Sequence, residues 1–207
     1  MAVKEIIYLT VKHVLCDGDK EKTFQYITKY LDCPKTKISI NKTVYAVSRL
    51  LQKVNSEVDF GYYWGVCGPY SAYVHAKIEE WIIPGLNDAR EELSEKMRSM
   101  GVEGHKDPPL REYYEKLAVR ADGMWLFDTV KDFFALSEDE KEQSYRYFEL
   151  LASALDLYTP GDTEEFILER LALLKSMEQE SNDILMKATQ LFFERKDVFF
   201  QDRASVA

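Results

Sequence analysis

The stretch Asp59-Phe60-Gly61-Tyr62-Tyr63-Trp64-Gly65-Val66-Cys67-Gly68-Pro69-Tyr70-Ser71-Ala72 lies between two segments of helical periodicity and concentrates aromatic area in a short run. Phe60, Tyr62, Tyr63, Trp64, Val66 and Tyr70 suit a pleated, half-buried element, and Gly61, Gly65 and Gly68 allow tight turns. The spacing therefore predicts a short β element near residues 59–66 closed by a turn. Pro69, with its φ preset and no N–H to satisfy, fits the first turn of the helix that follows, and Ser71 fits a helix start or turn.

Working outward, the pattern is helical almost everywhere. Residues 4–15 place Ile7, Val11, Val14 and Leu15 on one side. Asp17 or Asp19 can cap a second helix carrying Phe24, Ile27, Tyr30 and Leu31, which ends at Cys33-Pro34. Ser39 or Asn41 can cap a third, in which Val44, Val47, Leu51 and Val54 form an apolar stripe. At 100° per residue, Lys42, Arg49 and Lys53 fall on the opposite face, and Lys35 and Lys37 extend that basic edge upstream. Past the aromatic turn, Tyr70, Val74, Ile78 and Trp81 share one stripe of a helix that ends near Pro84-Gly85. A further helix runs from Asn87 or Asp88 to Met100. Gly101-Val102-Glu103-Gly104 and Asp107-Pro108-Pro109 then read as a linker. Leu110–Leu136 reads as a helical region rich in aromatics, with Gly123 as a candidate interruption. Ser137-Glu138-Asp139-Glu140 has capping-box spacing and starts a helix towards Tyr158. Thr159-Pro160-Gly161-Asp162 turns the chain, with Asp162 and Glu165 able to cap the last long helix or helical hairpin. The expected fold is mainly α. A winged-helix or helix-turn-helix-like part at 1–105, with at most a short β element near residues 59–66, precedes a C-terminal helical bundle at 106–207, and the two are able to pack as one unit.

Composition bounds the function classes. With 207 residues, 46% hydrophobic and 30% charged, the chain can bury a core, and disorder is not expected. Its apolar runs, such as Trp81-Ile82-Ile83, are too short to span a membrane, and the first residues lack the features of a signal peptide, so a cytoplasmic location is expected. Cys16, Cys33 and Cys67 are odd in number with no CxxC pair, which fits reduced thiols in a small hydrophobic role. The net charge of −9 is uneven: residues 1–55 hold 10 Lys/Arg against 5 Asp/Glu, or +5, which leaves −14 for the rest. A polyanion would have to dock on the N-terminal quarter, where Lys35, Lys37, Lys42, Arg49 and Lys53 are the candidate nucleic-acid-binding residues.

The segments Lys42-Thr43-Val44-Tyr45 to Leu50-Leu51, Asp59-Phe60-Gly61-Tyr62 and Gly68-Pro69-Tyr70-Ser71 resemble the YwgA-like family of uncharacterised prokaryotic proteins. The resemblance covers about residues 40–83. In that family a helix rich in Leu, Lys and Tyr precedes a short Tyr-rich strand, a Tyr-Gly-Pro-Tyr-Ser turn and a helix. That arrangement is similar to a helix-turn-helix or winged-helix core. Here Cys67 stands where the family has Tyr, and Ala72-Tyr73 replaces its basic-acidic pair. A more distant similarity is to the Panacea-type antitoxin domain, which also carries a Gly-Pro turn before a helix. Neither resemblance implies a catalytic residue.

Catalytic patterns are thin. Ser71 lacks a nucleophile-elbow setting, His75 and His105 stand apart from any triad, and adjacent carboxylates such as Glu79-Glu80 point about 100° apart on a helix. Neither of the common glycine-rich phosphate cradles is present. His13 and Cys16 share a helix face without a second close pair, so no metal and no cofactor are expected. An enzymatic reading rests only on the Tyr-rich turn, with Trp64 and Cys67 as a pocket wall. The helix after the turn offers Ala72, Ala76, Glu79 and Ile83 opposite its apolar stripe, which are not base-reading side chains. The expected function is therefore a non-enzymatic regulatory or antitoxin-type module with DNA as a candidate partner. The alternative is an acidic helical adaptor that binds a protein, or itself as a homodimer, through the aromatic turn (Tyr62, Trp64, Gly68, Pro69, Tyr70 and Ser71) and the C-terminal helices.

Overall fold

A computed structural model describes residues 3–31, 33–54, 59–66, 68–79, 124–175 and 181–200. The first helix, α1 (Val3–Thr10), continues into a π-helical turn at Val11–Leu15, and together they cover the helix expected at 4–15 and bury Ile7, Val11 and Val14. α2 (Lys20–Gln25) starts at Asp19, whose Oδ1 accepts from the Lys22 amide at 2.9 Å, and runs on through a second π-helical turn at Tyr26–Tyr30.

The third helix begins earlier than its expected caps. α3 (Pro34–Val54) opens on a proline, whose missing N–H costs nothing in a first turn, so Ser39 and Asn41 lie inside the helix. The Cys33 thiol faces the amides of Thr36 and Lys35, which lower its pKa, so the exposed residue just before Pro34 caps this end. Ser39 Oγ turns back to the Lys35 carbonyl at 3.0 Å, and Thr10, Thr43, Ser48 and Thr189 donate likewise to carbonyls three or four residues earlier. Helices can therefore bury these hydroxyls without orphaning them. Cys16 is buried as a small hydrophobe, and desolvation pushes its thiol up to about 11.

The aromatic stretch forms an antiparallel hairpin of β1 (Tyr63–Gly65) and β2 (Gly68–Tyr70), pairing Tyr63 with Tyr70, Trp64 with Pro69 and Gly65 with Gly68. Pro69 therefore stands in a strand rather than in the first turn of a helix. A two-stranded ribbon has outer edges where a missing donor is tolerated. The next helix, α4, is described over residues 72–79 and is capped by Ser71, whose Oγ accepts from the Val74 amide at 3.0 Å. Val74 and Ile78 form its buried stripe, whereas Trp81, the expected helix from residue 87 to 100 and the expected boundary at 101–109 lie outside the described residues.

The later described elements are α5 (Met124–Phe133), α6 (Glu138–Lys141), α7 (Ser144–Leu157), α8 (Glu164–Lys175), α9 (Asn182–Arg195) and α10 (Asp197–Phe200). The capping box at Ser137 and Glu140 forms as its spacing predicts. The helix expected to run on towards Tyr158 is broken at Glu142-Gln143 into α6 and α7. Thr163 rather than Asp162 caps α8: Thr163 Oγ1 accepts from Phe166 at 3.3 Å, while Asp162 Oδ2 accepts from Thr159 within the turn.

These elements share one hydrophobic core. α3 packs against α1, α5, α7 and β2, and α7 packs against α3, β2, α8 and α9. Ile40, Val44, Val47 and Leu50 from α3 meet a core that includes Leu150, Leu151, Ala154 and Leu155 from α7. Helices from both sides of the expected boundary thus contribute to the same interior. Among the described residues no helix is long and apolar enough to cross a membrane.

Inside this core Lys175 of α8 is 1% exposed and pairs with Glu149 of α7. A buried pair adds little over an apolar substitute, but breaking it leaves a charge without its counterion. Glu149→Gln or Lys175→Met is expected to lower unfolding stability by about 3–5 kcal/mol, while the double variant Glu149→Leu, Lys175→Met recovers most of that loss. Urea denaturation of the three variants measures this.

Candidate functional site

A two-stranded ribbon is marginal by itself, and this one is held by hydrogen bonds to α3. Asn41 forms a two-way amide pair with Ser71: Nδ2 donates to the Ser71 carbonyl at 3.2 Å and Oδ1 accepts from its amide at 3.3 Å. The Asn41 carbonyl accepts from the Tyr62 hydroxyl at 2.8 Å. Lys42 Nζ donates to the Pro69 carbonyl at 2.7 Å. Ser71 Oγ donates to the Phe60 carbonyl at 2.5 Å while it caps α4. Its hydroxyl thereby has the geometry of a cap rather than of a nucleophile beside a base.

The five expected basic residues do not form one edge. Lys42 is only 1% exposed, because the hairpin and α7 cover the α3 face that an amphipathic reading assigns to solvent. Lys37 pairs with Glu79 of α4 at 2.6 Å. The exposed Lys35 lies 4.8 Å over the ring of Tyr145. Arg49 is half-buried beside Tyr45, whose hydroxyl donates to Asp156 Oδ1 at 2.5 Å. Lys53 is exposed in the last turn of α3.

The hairpin motif divides between interior and solvent. Gly68, Pro69 and Ser71 are buried and Tyr70 is half-buried. Tyr62 packs edge-on against Tyr45 at 5.0 Å, and desolvation raises the pKa of both phenols. Tyr63, Trp64 and Val66 stand exposed, with Tyr73 exposed in the first turn of α4. Cys67 lies outside the described residues.

Between the first turns of α3, one face of the hairpin and α4 lies a cavity of about 590 Å³. Pro34, Ile38, Tyr63, Gly65, Val66 and Tyr70 are among its apolar lining residues. At one side Glu79 Oε1 accepts from Lys37 Nζ at 2.6 Å and lies 3.2 Å from His75 Nε2. Tyr70 and His75 lie with ring centroids 5.7 Å apart. Sequence reasoning misses this group. His75 and Glu79 are an i, i+4 pair and so are visible as neighbours on a helix, but Lys37 lies 42 residues from Glu79 and nothing local announces that contact. Asn41 is legible as a polar residue beside Ile40, yet its capping preference conceals its part as a clamp. Among the described residues no group of three or more His, Cys, Asp or Glu side chains could hold a metal ion.

Gly68 is the tightest point under the hairpin. Its φ is +81°, and a Cβ there would lie 2.1 Å from Ser153 Oγ, a buried hydroxyl that has no hydrogen-bond partner among the described residues. Gly68→Ala is expected to destabilise by roughly 2–4 kcal/mol, from left-handed strain and overpacking together. Ser153→Ala should be neutral or stabilising alone and should recover the packing part in the double variant. A double-mutant cycle in denaturant reads both effects. The raised phenol pKa values give a second expectation. Unfolded tyrosines ionise near pH 10 while Tyr62 and Tyr45 resist, so stability is whole below about pH 10 and falls as pH rises above it. Tyr62→Phe should reduce that fall by up to about 1.4 kcal/mol per pH unit, measured by denaturation between about pH 9 and 11.

No family model matches the chain, and neither a curated protein nor a solved structure is significantly similar to it.

Proposed function

We propose that this chain is a non-enzymatic regulatory or antitoxin-type interaction module, whose α3–hairpin–α4 unit is a winged-helix-like scaffold and whose α7–α9 helices form a C-terminal bundle. Its hairpin and the start of α4 engage a protein partner. The observation that carries this reading is the exposure of Tyr63 (54%), Trp64 (37%), Val66 (86%) and Tyr73 (50%) on a turn whose backbone is pinned from below. Aromatic anchors on a rigid support lose little entropy when they bind, which is why such residues dominate interface energetics.

Nucleic-acid binding is the second reading, supported by Lys35 and Lys53 at the two ends of α3. Eighteen residues of helix put them roughly 27 Å apart at about 1.5 Å per residue. With Lys42 buried and Lys37 paired, that spacing gives a sparse phosphate contact set, so the protein partner is favoured.

Capture experiments with wild-type protein and with a Trp64→Ser, Val66→Asp variant, matched for melting temperature, test the proposal. A defined protein retained by the wild type and lost by the variant is the expected result. Identical captures would overturn it. Salt-sensitive DNA binding that disappears on reversing the charges of Arg49 and Lys53 would instead establish the second reading.

A further inference from the structure

The geometry points to the outer edge of β1 as a pairing edge for a second copy of this chain, in an antiparallel two-fold arrangement centred on Trp64. This inference rests on the hairpin being an interaction surface, as proposed above, and names a partner for it.

The register decides which way the peptide groups of Trp64 point. Trp64 pairs with Pro69, which has no N–H and whose carbonyl accepts from Lys42. Hydrogen-bonded and non-hydrogen-bonded pairs alternate along an antiparallel ribbon. Trp64 with Pro69 is therefore the non-hydrogen-bonded pair, flanked by the bonded pairs Tyr63 with Tyr70 and Gly65 with Gly68. Both residues of such a pair turn their backbone polar groups outward. For Pro69 that direction leads to α3. For Trp64 it leads to the outer edge of β1, where among the described residues no backbone group pairs with it.

A residue that presents its N–H and C=O on one edge is self-complementary about a two-fold axis. The N–H of each Trp64 donates to the carbonyl of the other, which closes two hydrogen bonds at once. Tyr63 of either copy then stands across from Gly65 of the other, a ring against no side chain, while the two indoles lie side by side on the opposite face. Four strands in the order β2-β1-β1-β2 replace two marginal ribbons. Edge strands that stay unpaired in solution carry a lysine, a proline or a bulge against such contacts. Residues 60–66 have no charged side chain and no proline, the register of β1 is free of bulges, and Tyr63, Trp64 and Val66 are exposed. The paired edge is short, well below the area of a stable interface, so the dimer is weak, with a Kd between about 10 μM and about 1 mM.

Sedimentation velocity of the full chain from about 1 μM to about 1 mM is expected to show a monomer–dimer equilibrium. Trp64→Ala keeps the N–H and should weaken the dimer by roughly tenfold through loss of the aromatic pair. Trp64→Pro removes the outward N–H, a change that a strand edge tolerates, and should leave monomer throughout. Amide hydrogen exchange of the wild type reads the same pairing without a variant. Protection of the Trp64 amide is expected to rise with concentration, while the Tyr63 and Gly65 amides, bonded to β2, are protected at every concentration. A wild type that stays monomeric, a dimer that survives Trp64→Pro, or a Trp64 amide indifferent to concentration would each overturn the pairing. A monomeric wild type whose captured protein is lost in the Trp64→Ser, Val66→Asp variant would overturn it and leave the proposed partner surface standing, whereas a monomer that captures nothing would overturn both.

Discussion

The burial of Asn41 and Lys42 within α3 is the constraint on which the rest of the described structure depends. A helix that offers an amide and an ammonium to the core must find acceptors there, since an unpaired polar group or charge in the interior is costly. The hairpin supplies them: Ser71 answers Asn41, and the Pro69 carbonyl answers Lys42. The same bonds hold a ribbon too small to stand alone. Helix and hairpin therefore specify each other, and α4 inherits its direction from Ser71, which belongs to both hairpin and cap.

That arrangement redistributes the charge of the N-terminal quarter. A local excess of lysine and arginine reads as a surface for polyanions, but only if those side chains reach solvent together. One is buried at the turn, one is paired to α4, and one lies over an aromatic ring. What the hairpin places in solvent instead is aromatic and aliphatic area, of which Tyr63 and Val66 also line the open cavity beside α3 and α4. The described surface of this unit therefore offers apolar area more than a continuous row of cations for a phosphate backbone.

Local signals are legible wherever one residue and its near neighbours decide the outcome. Asp19 and the Ser137–Glu140 box cap helices because the acceptor and the amide it serves are three residues apart. The glycines around Trp64 mark a turn, and the apolar period along α3 marks its core side. The start of α3 is misplaced by a one-dimensional reading because Ser39 and Asn41 are good caps anywhere, whereas Pro34 in a first turn outweighs them. Pro69 misleads for a similar reason: a proline before a helix and a proline on a ribbon edge look alike in one dimension.

By itself the sequence determined a mainly helical chain with one aromatic β turn, since periodicity, caps and glycine placement act over a few residues. Tertiary structure alone decided which face of α3 is solvent, where Lys42 goes, and that Lys37 and His75 meet at Glu79. Those outcomes depend on contacts 27 to 42 residues apart for Lys42 with Pro69 and for Lys37 with Glu79, and an amphipathic pattern cannot say whether a second layer will cover its polar side.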